Sequence, residues 1–532
     1  MEKYSSYEIE SIEIAENFLK NSKYKDSIAI CLEVLQQYPN NSKAYNLLGI
    51  NMMEMKSYKK AIKYFTKALN LLPNNVHYVT NFARALNLDG DNEKAIETLT
   101  AFLNQSNETI AFFDLAQYFS QNKQHKKAID LYEGLLVIKP NNLDILFTLA
   151  DEYIKNNDIK NSLPLLERAY NLGHKEAGIK LLNQYVKLNM ACAAISFAKK
   201  YTYTKNADFY FLYANALSLN GNISEAKTCY KTAISMSNKP RYIFGYSTFL
   251  LKNREYAEGF KYYETRKEIE GFSANVKKSF SKPSDVYNKT VLVYYEQNLS
   301  DTIIFSRFLP LLQQIAKKVY FYPQKELSNI FDIECVSPPF NIDYDVSVLL
   351  PSLPYILNVS KPSDLDVKTP FTYQCKANLQ SSNENIIKIA FAFGDLGKMK
   401  HDRMKLEKIL DATISINVNL VSVKLDGIDS SYTENFSNIV DKGRECKNYC
   451  DILRILSSVD LFVGTDTQYL HLAASFGIPC ILFKDTQRWI WENGKTTNWY
   501  KNLIILEPDS NLRWDNALKA AFRQIKKYAS KH

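Results

Sequence analysis

The chain has 532 residues, 46% hydrophobic and 23% charged, a composition of folded domains that gives no ground for wholesale disorder. A single core cannot grow to that length, so two to four domains are expected. The net charge of +9 comes from 66 basic against 57 acidic residues with no dense Lys/Arg block, which argues against a nucleic-acid partner.

The eight cysteines, at 31, 192, 229, 335, 375, 446, 450 and 480, form no CxxC pair. Cys446 and Cys450 are four apart, yet no His or Cys partner motif follows, so reduced and mostly buried thiols are expected rather than a metal site. The opening stretch MEKYSSYEIESIEIAENFLK is acidic and lacks an apolar centre, unlike a signal peptide. No uncharged apolar run reaches the length of a membrane span. These features lead to the expectation of a soluble, cytoplasmic protein.

From the N-terminus onward the sequence is periodic. Pro-Asn-Asn occurs at 39–41, 73–75 and 140–142; the first interval is 73 − 39 = 34 residues and the second, 140 − 73 = 67, is close to two such steps. A 34-residue period closed by Pro is the signature of tetratricopeptide (TPR) repeats, pairs of helices in which small residues mark the close crossing. Residues 42–75 fit best, with Tyr45, Leu48, Gly49 and Met52 on the first helix and Ala61, Phe65 and Ala68 on the second. The pattern recurs at Ala83/Leu86/Ala95/Phe102, at Ala116/Phe119/Ala128/Tyr132, at Ala150/Tyr153/Ala169 and at Ala214/Leu217/Ala226/Tyr230/Ala233. Residues 175–205 are a degenerate unit, and the final one, near Tyr246 to Arg266, keeps aromatic positions but loses the small ones. Seven or eight units are expected, ending near residue 270. Such arrays bind a peptide or protein in a groove, where Asn46 and Asn81 are candidates, or they self-associate, so a homo-oligomer stays open.

Beyond GFSANVKKSFSKPSD (271–285), which reads as a connector, short apolar runs alternate with helical patterns. Strands are expected at 290–295, 319–322, 344–350, 386–392, 419–424, 460–464, 479–483 and 502–506. Helices are expected near 301–317, 402–413, 447–458, 466–476 and 512–529. Near-continuously apolar strands between helices imply parallel sheet covered on both faces, with ligands outside the carboxyl ends of the strands.

Three segments at such strand ends can carry chemistry. In VDLFVGTDTQYLHLAASFGIP (459–479), Asp466 and Thr467 open a helix and His471 follows one turn later; a capped helix packed on the sheet explains them equally well. In YYEQNLSDTIIFSRFLP (294–310), Asp301 stands where a carboxylate could take the proton of an attacking hydroxyl, or simply cap a helix. In FGDLGKMKHDRMKLEKI (393–409), Lys398, Lys400, His401 and Arg403 could neutralise a diphosphate or form a solvated basic loop. No paired-acid motif marks a metal site.

The run DLFVGTDTQYLHLAASFGIP resembles the D-T-x-x-x-H-L-A motif of the ADP-heptose:lipopolysaccharide heptosyltransferase family, which has the GT-B fold. The whole layout is similar to bacterial TPR proteins that carry a heptosyltransferase-like domain behind the repeats. In those proteins the last repeat reads like YAEGFKYYETR (256–266), the segment after the connector like EQNLSDTI (296–303), and R-W then W-Y precede a strand, as do Arg488-Trp489 and Trp499-Tyr500 here. The resemblance implies an inverting, metal-independent, cofactor-free transfer of a sugar from a nucleotide-sugar donor to a protein acceptor, such as a bacterial surface protein of the flagellin kind. It makes Asp301 the general base and puts Gly394, Lys400, Arg403, Asp466, Thr467, Gln468, His471 and Arg488 on the donor side. Arg488 and Trp489 either shape that site or pack. The loop departs from the family's E-Q-G-x-G-D pattern, with Asn298 and Ser300 in place of both glycines.

The expected fold class is thus a TPR α-solenoid followed by a GT-B-like double-Rossmann α/β domain. Its expected parts are 1–270 for the array, 271–285 for the connector, 286–380 for the acceptor-side half and 381–532 for the nucleotide-sugar half. The competing expectation is a TPR scaffold carrying a catalytically idle transferase-like domain.

Overall fold

A computed structural model describes residues 5–201, 205–269, 278–371, 387–393, 418–425, 427–428, 433–434, 437–484, 488–509 and 513–530. Among them, sixteen α-helices run from α1 (Ser6–Lys20) to α16 (Tyr256–Tyr263), and nine strands follow. The chain divides into two compact units, Met1–Cys229 and Tyr230–His532.

In the first unit the periodicity has a direct physical basis. The second Asn of each Pro-Asn-Asn caps the helix that opens the next pair: Asn41 Oδ1 accepts from Ala44 N at 2.8 Å, Asn75 Oδ1 from His77 N at 3.0 Å and Asn142 Oδ1 from Ile145 N at 3.0 Å. The turn inside each pair holds one residue in the left-handed region: Ser22, Lys56, Gly90, Lys123, Asn157, Asn189 and Gly221. Their spacing keeps the repeat step even through the degenerate unit (56 − 22 = 34; 221 − 189 = 32). Within the pair α3 (Ser42–Glu54) and α4 (Tyr58–Leu71), a Cβ on Gly49 would lie 2.5 Å from the Phe65 ring. Only glycine admits that crossing. Asn81 Nδ2 donates to Asn46 Oδ1 at 3.1 Å, linking α3 to α5 (Val76–Leu88), so these two candidate groove residues bond to each other.

The second unit starts inside α14 (Ile223–Met236) and includes the last helical pair, α15 (Pro240–Lys252) and α16. Helices therefore continue to Tyr263, while the compact division falls forty residues before the expected boundary at 270 (270 − 230 = 40). The reason is packing. Leu251, Tyr256, Phe260 and Tyr263 are buried in the same apolar core as the sheets.

That core joins two parallel sheets. The smaller has β1 (Thr290–Tyr294), β2 (Lys318–Tyr322) and β3 (Val346–Leu349) in the order β2-β1-β3. The larger has β4 (Ile387–Ala392), β5 (Val418–Ser422), β6 (Ile439–Asp441), β7 (Leu461–Gly464), β8 (Cys480–Phe483) and β9 (Leu503–Leu506) in the order β6-β5-β4-β7-β8-β9. Every expected strand is present; β6, only three residues long, carries too little pattern to be read from sequence. The helices are α17 (Leu299–Ser306), α18 (Leu309–Ile315), α19 (Leu353–Ile356), α20 (Tyr449–Leu456), α21 (Gln468–Phe476) and α22 (Asp515–Ala529). The helix expected at 402–413 lies outside the described residues.

One cysteine departs from expectation. Among the described residues six cysteines are free thiols, but Cys450, on α20, is disulfide-bonded rather than reduced. Among the described residues no helix is long and apolar enough to cross a membrane.

Candidate functional site

The two strand ends singled out in the sequence supply the same side-chain cluster. β1 ends at Tyr294, and a short loop leads into α17, whose N-cap is Asn298. Asn298 Oδ1 accepts from Asp301 N at 3.1 Å, so Asp301 is the third residue of the helix and not its cap. Its carboxylate sits where the helix dipole favours negative charge. Asn298 is extended (φ −97°, ψ 175°) and Ser300 is helical. Neither position needs the glycine that the family pattern has there. The left-handed residue of the loop is Gln297, at φ +68°.

The other strand end is β7. A Cβ on Gly464 would lie 2.2 Å from the Ala392 carbonyl oxygen, so only glycine lets the backbone leave the sheet here. Thr467 then caps α21, its Oγ1 accepting from Leu470 N at 3.5 Å. With the cap role taken by Thr467, the Asp466 carboxylate is released for other partners.

Helix α17 packs against α21, and Arg488 links the two carboxylates. Its guanidinium pairs with Asp301 through Nη2 and with Asp466 Oδ1 through Nη1 at 3.1 Å. Asp466 Oδ1 also meets His471 Nε2 at 3.0 Å, and Asp466 Oδ2 accepts from Trp491 Nε1 at 2.7 Å. His471 stacks on the Trp491 ring, 5.1 Å between centroids and 7° between planes, and its Nδ1 lies 3.0 Å from the Tyr500 hydroxyl. His471 is fully buried and Asp301 is 5% exposed, whereas the Arg488 side chain keeps 27% of its surface.

The charges follow from these contacts. Burial pushes the Asp301 carboxyl up, against the pull of Arg488, and the Asp466 charge adds to the push. Asp466 is buried too, but hydrogen bonding to His471, the Arg488 charge and the Trp491 N–H outweigh burial and hold it well below the carboxylate range. Burial lowers His471 despite its Asp466 partner, favouring neutral imidazole. Arg488 is raised, because its two carboxylates overcome its desolvation. One guanidinium thus serves two carboxylates whose acidities are driven in opposite directions.

Of the residues predicted from sequence, the structure brings together Asp301, Asp466, His471 and Arg488. Thr467 is the cap beside them, and Gln468 is turned to Tyr449, its Nε2 3.3 Å from the hydroxyl. Gly394, Lys400 and Arg403, with Lys398 and His401, lie outside the described residues. Trp489 packs edge-on against Phe260, Tyr263 and Trp499 instead of reaching the carboxylates. Trp491 was missed, although it directly follows the Arg488-Trp489 pair by two residues and carries the indole N–H that Asp466 uses.

The loop bearing Arg488 is pinned from the helical side. Glu492, fully buried and at φ +53°, accepts from Arg254 Nε at 3.1 Å, from the Tyr256 hydroxyl and from Asn498 Nδ2 at 3.0 Å. Nearby, buried Arg266 donates to Glu296 Oε2 and Ser352 Oγ, both at 2.8 Å, tying the end of the helices to the loop after β1. Neither clasp was foreseen.

The family models that match the chain fall in its helical part. A family model for the cytochrome c-type biogenesis protein H TPR domain matches residues 28–144, and a tetratricopeptide repeat model matches residues 207–240. No curated protein matches the chain. Solved structures that align include a tetratricopeptide repeat protein from Parabacteroides merdae (16% identity, TM-score 0.33, covering 46% of this chain and all of that one). MamA from Desulfovibrio magneticus aligns at 16% identity and TM-score 0.29, over 32% of this chain and 97% of its own. YrrB, described as a TPR protein with an unusual peptide-binding site, aligns at 18% identity and TM-score 0.27, over 31% and 84%. The N-terminal part of the chain is a TPR repeat array, followed by a region of parallel sheets.

Proposed function

We propose that the chain is an inverting, metal-independent glycosyltransferase of GT-B type, which moves a sugar from a nucleotide-sugar donor to a protein acceptor held by the TPR repeats. The observation that carries this reading is the sharing of Arg488 between Asp301 and Asp466, residues 165 apart in sequence (466 − 301 = 165) and placed after the carboxyl ends of strands from two different sheets. Donor chemistry of this kind needs a carboxylate to accept the acceptor's hydroxyl proton and a cation to meet the departing diphosphate. Asp301, raised by burial, suits the first role. Arg488, the most exposed of the four clustered residues, suits the second: turning toward a diphosphate would free the carboxylate it holds. The repeats would raise the acceptor's local concentration at the site.

A second reading is favoured by the same geometry. Each carboxylate already has a partner, so the cluster can serve as a buried ionic staple in a TPR scaffold whose sheet region is idle. Asp301→Asn separates the two, since it keeps the shape and removes the base. Nucleotide release from a panel of UDP-, GDP-, ADP- and CMP-sugars is the measurement. Under the first reading the wild type consumes one donor and the variant loses at least about 100-fold in rate, the scale of general-base catalysis. Equal background rates from two equally folded proteins would leave the scaffold.

A further inference from the structure

A cavity of about 430 Å³ opens at the far end of α21, where the helix stops at Gly477 before β8 begins. Nine residues at 1.5 Å per residue separate it from the Asp466 end by roughly 13 Å. It therefore lies on the amino side of the larger sheet's strands, away from the cluster described above.

The wall of this cavity is unusual in its charge. Arg307 is 3% exposed, and its guanidinium donates to backbone carbonyls, from Nε to Ile304 O at 3.0 Å and from Nη1 to Trp499 O at 2.6 Å and Leu365 O at 3.3 Å, with the Tyr500 side chain as a further partner. The Trp499 and Tyr500 rings flank it at 5.3 and 4.7 Å. Among the described residues no carboxylate hydrogen-bonds to it, and Asp366 acts on it only electrostatically. Lys368 and Lys501 stand at the same cavity, and the one acid there, Asp366, pairs with Lys501. Among the described residues, three cations and one carboxylate line the cavity, of which Arg307 is buried and Lys368, Lys501 and Asp366 are exposed. A buried guanidinium with no hydrogen-bonded carboxylate is costly, and an anion reaching it would offset that cost.

Polar valence is left over as well. Thr369 Oγ1 and Trp499 Nε1 are buried without a hydrogen-bond partner, and both residues line this cavity. Each leaves a hydrogen bond that a further group can make. The remaining wall is the end of α21, Ala474 to Gly477, where the Ala474 carbonyl already accepts from Gly477 N and from Asn502 Nδ2, both at 3.2 Å.

We propose that this cavity is a binding site for a small hydroxylated organic anion. Its phosphate or carboxylate group would lie on Arg307 and Lys368, and its hydroxyls would meet Thr369 Oγ1 and the Trp499 indole N–H. Tyr500 would connect the ligand to the other site, because its hydroxyl meets His471 while its ring meets Arg307.

The test uses the full chain in thermal-shift titrations at constant ionic strength, with glucose 1-phosphate, glucuronate, inorganic phosphate and glucose as probes. Glucose 1-phosphate or glucuronate is expected to raise Tm saturably and at lower concentration than phosphate or glucose, and which of the two acts identifies the anionic group. Lys368→Glu, an exposed substitution that leaves the core intact, should weaken half-saturation at least tenfold, and Thr369→Val should weaken it less. Asp301→Asn should leave the titration unchanged. No saturable response to either hydroxylated anion, or a response that Lys368→Glu does not alter, would overturn the proposal. So would a response lost in Asp301→Asn alone, which would move the anion to the other end of α21.

Discussion

The two compact units bury different kinds of side chain. In Met1–Cys229 the fully buried positions are filled by Ala44, Ala61, Ala83, Ala95, Ala128 and their larger neighbours, and buried charge is confined to Glu8, Asp114 and Glu152 among the described residues. In Tyr230–His532 the buried set includes Arg266, Glu296, Asp301, Arg307, His471, Lys484 and Glu492. The array repeats one apolar solution at a fixed step, and each contact is local. The second unit holds distant segments together with ions that water must give up, which is costly unless every partner is in place. Repetition gives a tolerant fold; ionic closure gives a particular arrangement and a fragile one.

The sharpest way to break this contrast is Asp466→Ala. Removing one carboxylate leaves Arg488, His471 and Trp491 buried without it, and a loss of about 3–5 kcal/mol is expected, confined to the second unit. Chemical denaturation followed by hydrogen exchange would localise it; a loss shared equally with the array would contradict the division. Leu146→Ala is the matching change in the array. It empties a fully buried apolar position, for which about 2–4 kcal/mol is the usual cost. Its effect should spread to neighbouring repeats and spare the Arg488 cluster.

A pH titration of stability probes the buried histidine of the ionic unit. Burial depresses His471 from its ordinary 6.5, so below that pH the unfolded chain takes up a proton that the folded one refuses. Stability should therefore be full above pH 6.5 and fall as pH drops below it, toward the depressed folded value. Asp466, also depressed, adds its own loss only at far lower pH. Denaturation midpoints measured between pH 7.5 and 5 should flatten in His471→Gln; an unchanged slope would show the histidine is not the source. The smallest expected effect is Gln297→Gly. It relieves a left-handed non-glycine residue but loosens the unfolded chain, for a net gain of about 0.5 kcal/mol in urea melts.

How much could be read in advance follows the same contrast. The array was legible because its information is local: an Asn three residues ahead of an amide it caps and small residues at each helix crossing recur on a count. The strands were legible because buried parallel strands are short apolar runs, and β6 escaped because three residues carry no run. The site was partly legible. Asp301, Asp466 and His471 stood at recognisable strand ends, and Arg488 entered through the resemblance. What joins them was hidden, since Arg266 to Glu296 spans 30 residues, Asp301 to Arg488 spans 187 and Arg254 to Glu492 spans 238. Pairing at such separations depends on the folded path and leaves no mark in spacing. The trade of roles between Asp466 and Thr467, cap against ion-pair partner, was equally invisible, because both residue types serve as caps.

The clasp on Glu492 has a practical consequence for anyone dividing the gene. The repeat pattern invites a cut near residue 270, yet a fragment starting there would lose Arg254 and Tyr256 and strand a carboxylate at 0% exposure, four residues from Arg488. It would also lay bare the aromatic face that Phe260 and Tyr263 cover on Trp489. A fragment meant to fold alone has to begin near Tyr230, taking the final helical hairpin with it as its own wall.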